Sequence, residues 1–121
     1  MEIYLIFFLF WFKNSIFDKK WTILKLEEIL DLTGGSIDVF SDVLDTFLDY
    51  IDEFPLNVIN CLEKIIKNQV GTNGYLLFET KYEPLLAGLL RSEDQEAKDK
   101  TRNLINFLGS RDLHYFRDLL N

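Results

Sequence analysis

The sequence predicts an all-α domain of about six helices stacked as antiparallel hairpins, either as a short α-solenoid or as an irregular bundle. Three observations point there. Apolar residues recur at steps of three and four, the period of one helix face. Residues that start and stop helices punctuate those stretches. Two prolines and six glycines in 121 residues leave long runs free to be helical.

Residues 1–17, MEIYLIFFLFWFKNSIF, open the chain with an apolar run from Ile3 to Phe12. A membrane span needs about twenty apolar residues, and Lys13, Asn14 and Ser15 interrupt this one. Glu2 stands where a secretory signal wants a base, and no small-residue cleavage site follows. Three readings stand for the segment: a helix or strand of the core, a membrane anchor, or an apolar edge left by truncation of a longer chain. Residues 18–121 are read as a single α-helical domain.

Asp18 to Leu32 reads as a helix with Asp18 as its N-cap. Ile23, Leu26 and Leu30 form its inner face with Ile29 at the edge, and Gly34 and Gly35 stop it. The clearest amphipathic stretch follows, Ser36 to Phe54. Ile37, Phe40, Leu44, Phe47, Ile51 and Phe54 form one face. Asp38, Asp42, Asp45, Asp49 and Asp52 form the other, with Glu53 beside them. Pro55 opens the next helix, to Gln69, as proline is tolerated in a first turn. Its inner face is Ile59, Leu62 and Ile66, flanked by Val58 and Ile65, while Lys64 and Lys67 are placed to reach acids. VGTNG (Val70–Gly74) reads as a loop. A short segment Tyr75–Lys81 precedes a helix from Pro84 to Leu90. Ser92-Glu93-Asp94-Gln95 matches a capping box for a helix to Leu108, ended by Gly109. Ala97, Thr101, Leu104, Ile105 and Leu108 face inward. The pairs Asp94–Lys98, Glu96–Lys100 and Asp99–Arg102 lace its outer face. A last helix spans Asp112 to Leu120 with Leu113, Phe116 and Leu120 inward. Helix pairs begin near residues 3, 36 and 75, a spacing typical of helical-hairpin repeats.

The net charge of −7 is uneven. Residues 36–54 hold six acids and no base, whereas residues 55–121 hold nine of each. An acidic chain without a basic cluster argues against nucleic-acid binding and against docking on anionic lipid. The single cysteine, Cys61, excludes an intrachain disulfide and favours a reducing, cytoplasmic setting, with membrane association left to residues 3–17. Cys61 reads as a small buried residue and His114, the only histidine, as a surface residue. Trp11 and Trp21 read as core. The acid stripe lacks histidine and calcium-loop spacing, so no metal and no cofactor is expected. Gly71-Thr72-Asn73-Gly74 has the outline of a nucleic-acid-clamping GxxG loop, lacks the βαα context and the basic flanks of that module, and reads as a plain turn. No catalytic motif is present, and an enzyme is the least favoured class.

The stretches EPLLAGLLRS (Glu83–Ser92) and DQEAKDKTRNLINFLGSRDLHYFRDLL (Asp94–Leu120) resemble the end of a HEAT-like helical repeat array. Such tails close large bacterial multidomain proteins, including NTPase-type defence proteins. The resemblance covers about 40 residues. It implies a bacterial stand-alone relative or a fragment, and it carries over no functional residue. Three functions follow as expectations. The first is a non-enzymatic helical-repeat module that binds a protein partner. The second is a small acidic inhibitor or immunity-type protein gripping a basic partner through Asp38, Asp42, Asp45, Asp49, Asp52 and Glu53. The third is a membrane-associated protein anchored by residues 3–17.

Overall fold

A computed structural model describes residues 18–34, 41–72, 82–114 and 116–120. Among them every regular element is helical: α1 (Lys19–Thr33), α2 (Ser41–Tyr50), α3 (Pro55–Thr72), α4 (Tyr82–Leu90), α5 (Gln95–Ser110) and a closing 3₁₀ turn (Arg117–Leu120). The expected N-terminal segment, the cap at Ser36, the segment Tyr75–Lys81 and Trp11 lie outside the described residues.

The start of α1 follows from Asp18, whose carboxylate accepts the Trp21 N–H at 3.1 Å. Its end follows from Gly34, at φ 66°, whose N–H closes on the Leu30 carbonyl. Ile23, Leu26 and Leu30 are fully buried, as the period requires. Trp21 corrects the expectation. It sits on the opposite side of α1 and is 46% exposed.

The second helix ends at Tyr50, before the expected Phe54, because residues 51–53 form a turn that delivers the chain to Pro55. Phe54 N–H bonds the Tyr50 carbonyl at 2.9 Å and Val58 N–H bonds the Phe54 carbonyl at 3.0 Å, which bridges the two helices. Leu44, Phe47 and Ile51 are buried and Phe54 is half-buried. The third helix runs past Val70 to Thr72, so the loop expected there starts later. A glycine within a helix costs about 1 kcal/mol relative to alanine, which an 18-residue helix with a buried face absorbs.

At the start of α5 the cap is Asp94, not Ser92. The Asp94 carboxylate accepts the Ala97 N–H at 3.0 Å, and the Ser92 hydroxyl oxygen accepts the Asp94 N–H at 3.1 Å. That role draws Asp94 away from the expected pairing with Lys98. Lys100 reaches across to Asn60 at 2.8 Å instead of along its own helix to Glu96. The Asp99–Arg102 pair forms, at 3.8 Å. Gly109 lies inside α5 rather than ending it. The turn falls at Arg111 and Asp112, where Asp112 takes φ 62°. Among the described residues of the last expected helix, Arg117–Leu120 alone are helical, as a 3₁₀ turn. Phe116 is nonetheless buried, as its spacing implied.

Side-chain bridges give the direction of packing. Glu27 accepts from Asn57 at 2.8 Å and Asp31 pairs with Lys64 at 2.8 Å, so α1 and α3 run the same way side by side. Asn60 meets Lys100, and the Lys67 ammonium stands 5.1 Å from the centre of the Phe107 ring, so α5 runs the same way beside α3. The shorter α2 and α4 pack on each other and run back in the opposite sense, each joined to its successor by four residues, 51–54 and 91–94. The result is two stacked hairpins, α2–α3 and α4–α5, with α1 extending the row of long helices. One apolar core runs through all of them, and Leu62, Ile65 and Ile66 of α3 are fully buried within it.

Candidate functional site: the acidic edge and its cleft

The return turns of the two hairpins lie next to each other. Between them opens a cleft of about 560 Å³, bounded by Ile51, Asp52, Glu53 and Pro55 on one side and by Gly88, Arg91, Ser92, Glu93 and Asp94 on the other. The close approach is made at Gly88, where an added Cβ would stand 3.3 Å from Ile51 Cδ1. A Cβ at that position would require the Ile51 side chain to give by a few tenths of an ångström.

The acids of α2 run along the outer surface toward this cleft. Asp45 and Asp49 are exposed on the helix, and Asp52 and Glu53 are exposed at its lip. Glu93 is exposed across the opening. Four acids against one base, Arg91, line the cleft, although Asp94 spends its carboxylate on capping α5. The edge is therefore negative where α2 ends, at the pole of the helix dipole that is itself negative. Asp38 and the side chain of Asp42 lie outside the described residues, so the structure brings together the C-terminal four of the six predicted residues.

One base that sequence spacing could not assign reaches this edge. Lys19, on the first turn of α1, pairs with Glu53 at 3.6 Å and stands 5.5 Å from the centre of the Tyr50 ring. Both side chains of the ion pair are largely exposed, so it contributes little stability. Its effect is to neutralise one end of the stripe. Burial raises the pKa of the Tyr50 phenol, and the carboxylates of Asp18, Asp49 and Glu53 push the same way.

The remaining chemistry-bearing residues are placed apart. Cys61 is completely buried on α3, and burial raises its thiol pKa far above the ordinary value. A thiol held protonated is a poor nucleophile. His114 is exposed beyond the end of α5, with its Nδ1 3.5 Å from an Arg117 guanidinium nitrogen. Among the described residues no group of three or more His, Cys, Asp or Glu side chains could hold a metal ion. Among them also, no helix is long and apolar enough to cross a membrane. Comparison with protein-family models, with curated proteins and with solved structures finds no match for this chain.

Proposed function

We propose that this chain is a non-enzymatic helical-repeat module that binds a protein partner, and that its acidic edge is the contact. The observation that carries the reading is the repetition of one hairpin. Both hairpins consist of a short helix, a four-residue turn and a long helix. Buried residues of the long helices correspond at a fixed offset: Val58 with Ala97, Leu62 with Thr101, Ile65 with Leu104 and Ile66 with Ile105. α1 joins the series, with Thr22, Leu26 and Leu30 matching Val58, Leu62 and Ile66. Stacked units of this kind bury a continuous core and leave extended surfaces for partners, which is the HEAT-like logic. Asp45, Asp49, Asp52 and Glu53 lie on such a surface, beside a cleft that their acids continue.

A basic partner fits that charge. Like-charged neighbours on a helix cost a few tenths of a kcal/mol per pair, and acids near a helix C-terminus oppose the dipole. A basic ligand relieves both. The same feature serves the narrower reading of an acidic inhibitor, which differs in demanding one tight partner rather than several.

The test is binding of an oligo-arginine peptide to the full chain, followed by calorimetry. Two triple variants are compared: Asp45→Asn/Asp49→Asn/Asp52→Asn on the edge, and Glu96→Gln/Asp99→Asn/Asp118→Asn elsewhere. Both remove three charges. The edge variant is expected to weaken binding at least tenfold, by about 1.4 kcal/mol, with the control variant close to the parent. Equal losses in both would reduce the acidic edge to bulk charge and remove it as the contact.

A further inference from the structure

We infer that Lys19 is a built-in competitor for the acidic edge: it occupies the seat at Glu53 and Tyr50 that a basic side chain of the partner takes on binding. The inference rests on the reading of the acidic edge as the partner contact.

Lys19 lies on the first turn of α1, outside the stripe that it neutralises. Asp45 and Asp49 stand four residues apart on α2, and Glu53 comes four residues later in the turn. Lys19 reaches the last of them. Its ammonium is 3.6 Å from Glu53 Oε1 and 5.5 Å from the centre of the Tyr50 ring. A carboxylate beside an aromatic ring is a pairing that recognises an ammonium or a guanidinium, because both present negative potential to the cation. The seat therefore has the chemistry of the ligand proposed for the edge, and one of the chain's own bases sits in it. Besides burial, the carboxylates of Asp18, Asp49 and Glu53 raise the Tyr50 pKa, so three acids act on the same spot as this one base.

The seating is loose. The side chains of Lys19 and Glu53 are 41% and 60% exposed. Their 3.6 Å separation is longer than a charge-assisted hydrogen bond, whereas Lys64 closes to 2.8 Å on Asp31. A lysine stem is flexible, so the ammonium swings into water without any movement of α1. Tyr50 is buried and keeps its place in the core, so only Lys19 has to move. An arginine is the better occupant, since its planar guanidinium offers a carboxylate two parallel N–H donors where lysine offers a point charge.

An exposed ion pair with one cation–π contact keeps Lys19 seated a few times more often than not. Apparent affinity falls by the fraction of the edge left free, so removing Lys19 is expected to tighten binding about threefold to tenfold.

Calorimetric titration of the full chain with an oligo-arginine peptide reads this. Lys19→Ala, and Lys19→Gln with its longer stem, are each expected to bind about three to ten times more tightly than the parent. Lys20→Ala removes the same charge from the next residue, which is exposed. At about 0.15 M salt, where charges farther than about 8 Å are screened, it is expected to change affinity less than about twofold. Glu53→Gln takes away the seat of Lys19, so adding Lys19→Ala to it is expected to bring no further gain. Circular dichroism checks that each variant keeps its helix content. Equal gains from Lys19→Ala and Lys20→Ala, no gain from either Lys19 variant, or a full gain persisting beside Glu53→Gln would each overturn the competitor. The edge itself stands in those cases if Asp45→Asn/Asp49→Asn/Asp52→Asn still weakens binding. A triple variant that binds as the parent does would mean that the edge is not the contact, and the competitor falls with it.

Discussion

Cys61 states most sharply what burial does to a single side chain. It is fully enclosed on α3, and the loss of water around the thiol raises its pKa, with the Glu27 carboxylate adding in the same direction. The folded chain therefore keeps a proton that the unfolded chain, with an ordinary thiol near pH 8.5, gives up. The folded state binds more protons above that pH, so the contribution is complete below about pH 8.5 and is lost as pH rises. Unfolding free energy is expected to fall above pH 8.5 by up to about 1.4 kcal/mol per pH unit from this group. Urea titrations at several alkaline pH values check it, with Cys61→Ala as the comparison. The variant is less stable at neutral pH but has a shallower slope between about pH 8.5 and 10. Identical slopes in the two chains would mean the thiol is not the group responsible.

Helix ends show how local chemistry and packing divide the work. Gly34 holds φ 66°, a conformation a residue with a Cβ adopts only at a cost, while nothing lies within 4 Å of where that Cβ would be. Gly34→Ala is thus strained by its backbone alone and is expected to destabilise by about 1 kcal/mol. Gly109 is the opposite case. It sits inside α5, and an added Cβ would meet His114 Nδ1 at 3.7 Å, an ordinary contact. Gly109→Ala is expected to stabilise by up to about 1 kcal/mol through helix propensity. Thermal or urea unfolding of the pair checks both signs, and two changes of the same sign would contradict this account of where the two helices end. From sequence, both glycines read as stop signals. Nothing in the local pattern distinguishes the one that stops a helix from the one that continues it, because the difference lies in how Leu113 and the residues after it fold back. Leu113 N–H bonds the Leu108 carbonyl at 2.9 Å, a closure that needs the turn at Asp112.

At the scale of the molecule α3 is the shared wall. It packs on α1 along one side and on α5 along the other, and it also meets α2. Asn57 and Lys64 serve α1, while Asn60 and Lys67 serve α5, so its polar residues bridge outward on both flanks. Leu62 is fully buried in the core that α3 shares with its neighbours. Leu62→Ala is expected to cost about 2–5 kcal/mol. Because both neighbours lean on the same wall, amides of α1 and α5 should lose hydrogen-exchange protection together. Loss in α1 with α5 unchanged would show that the long helices unfold as separate units.

Much of this architecture is legible in the residues. Asp18 as a cap, Gly34 as a stop, Pro55 as a start, and the buried sets Ile23–Leu26–Leu30 and Ala97–Thr101–Leu104–Ile105–Leu108 all follow from local rules, because capping and a 3.6-residue period act within one or two turns. The charge asymmetry is likewise a property of the sequence, with six acids and no base in residues 36–54. Which helices pair within a hairpin was legible from the short turns, but which lie beside one another between hairpins was not. Lys100 belongs to Asn60 rather than to Glu96, Lys19 reaches Glu53, and Gly88 meets Ile51, all through distances that separation along the chain does not encode. The cleft beside the acidic edge exists only because two turns about forty residues apart are brought together by the stacking of their hairpins. Trp21 marks the same boundary from the other side. Its hydrophobicity is fixed by its identity, but its exposure was decided by which face of α1 the other helices cover.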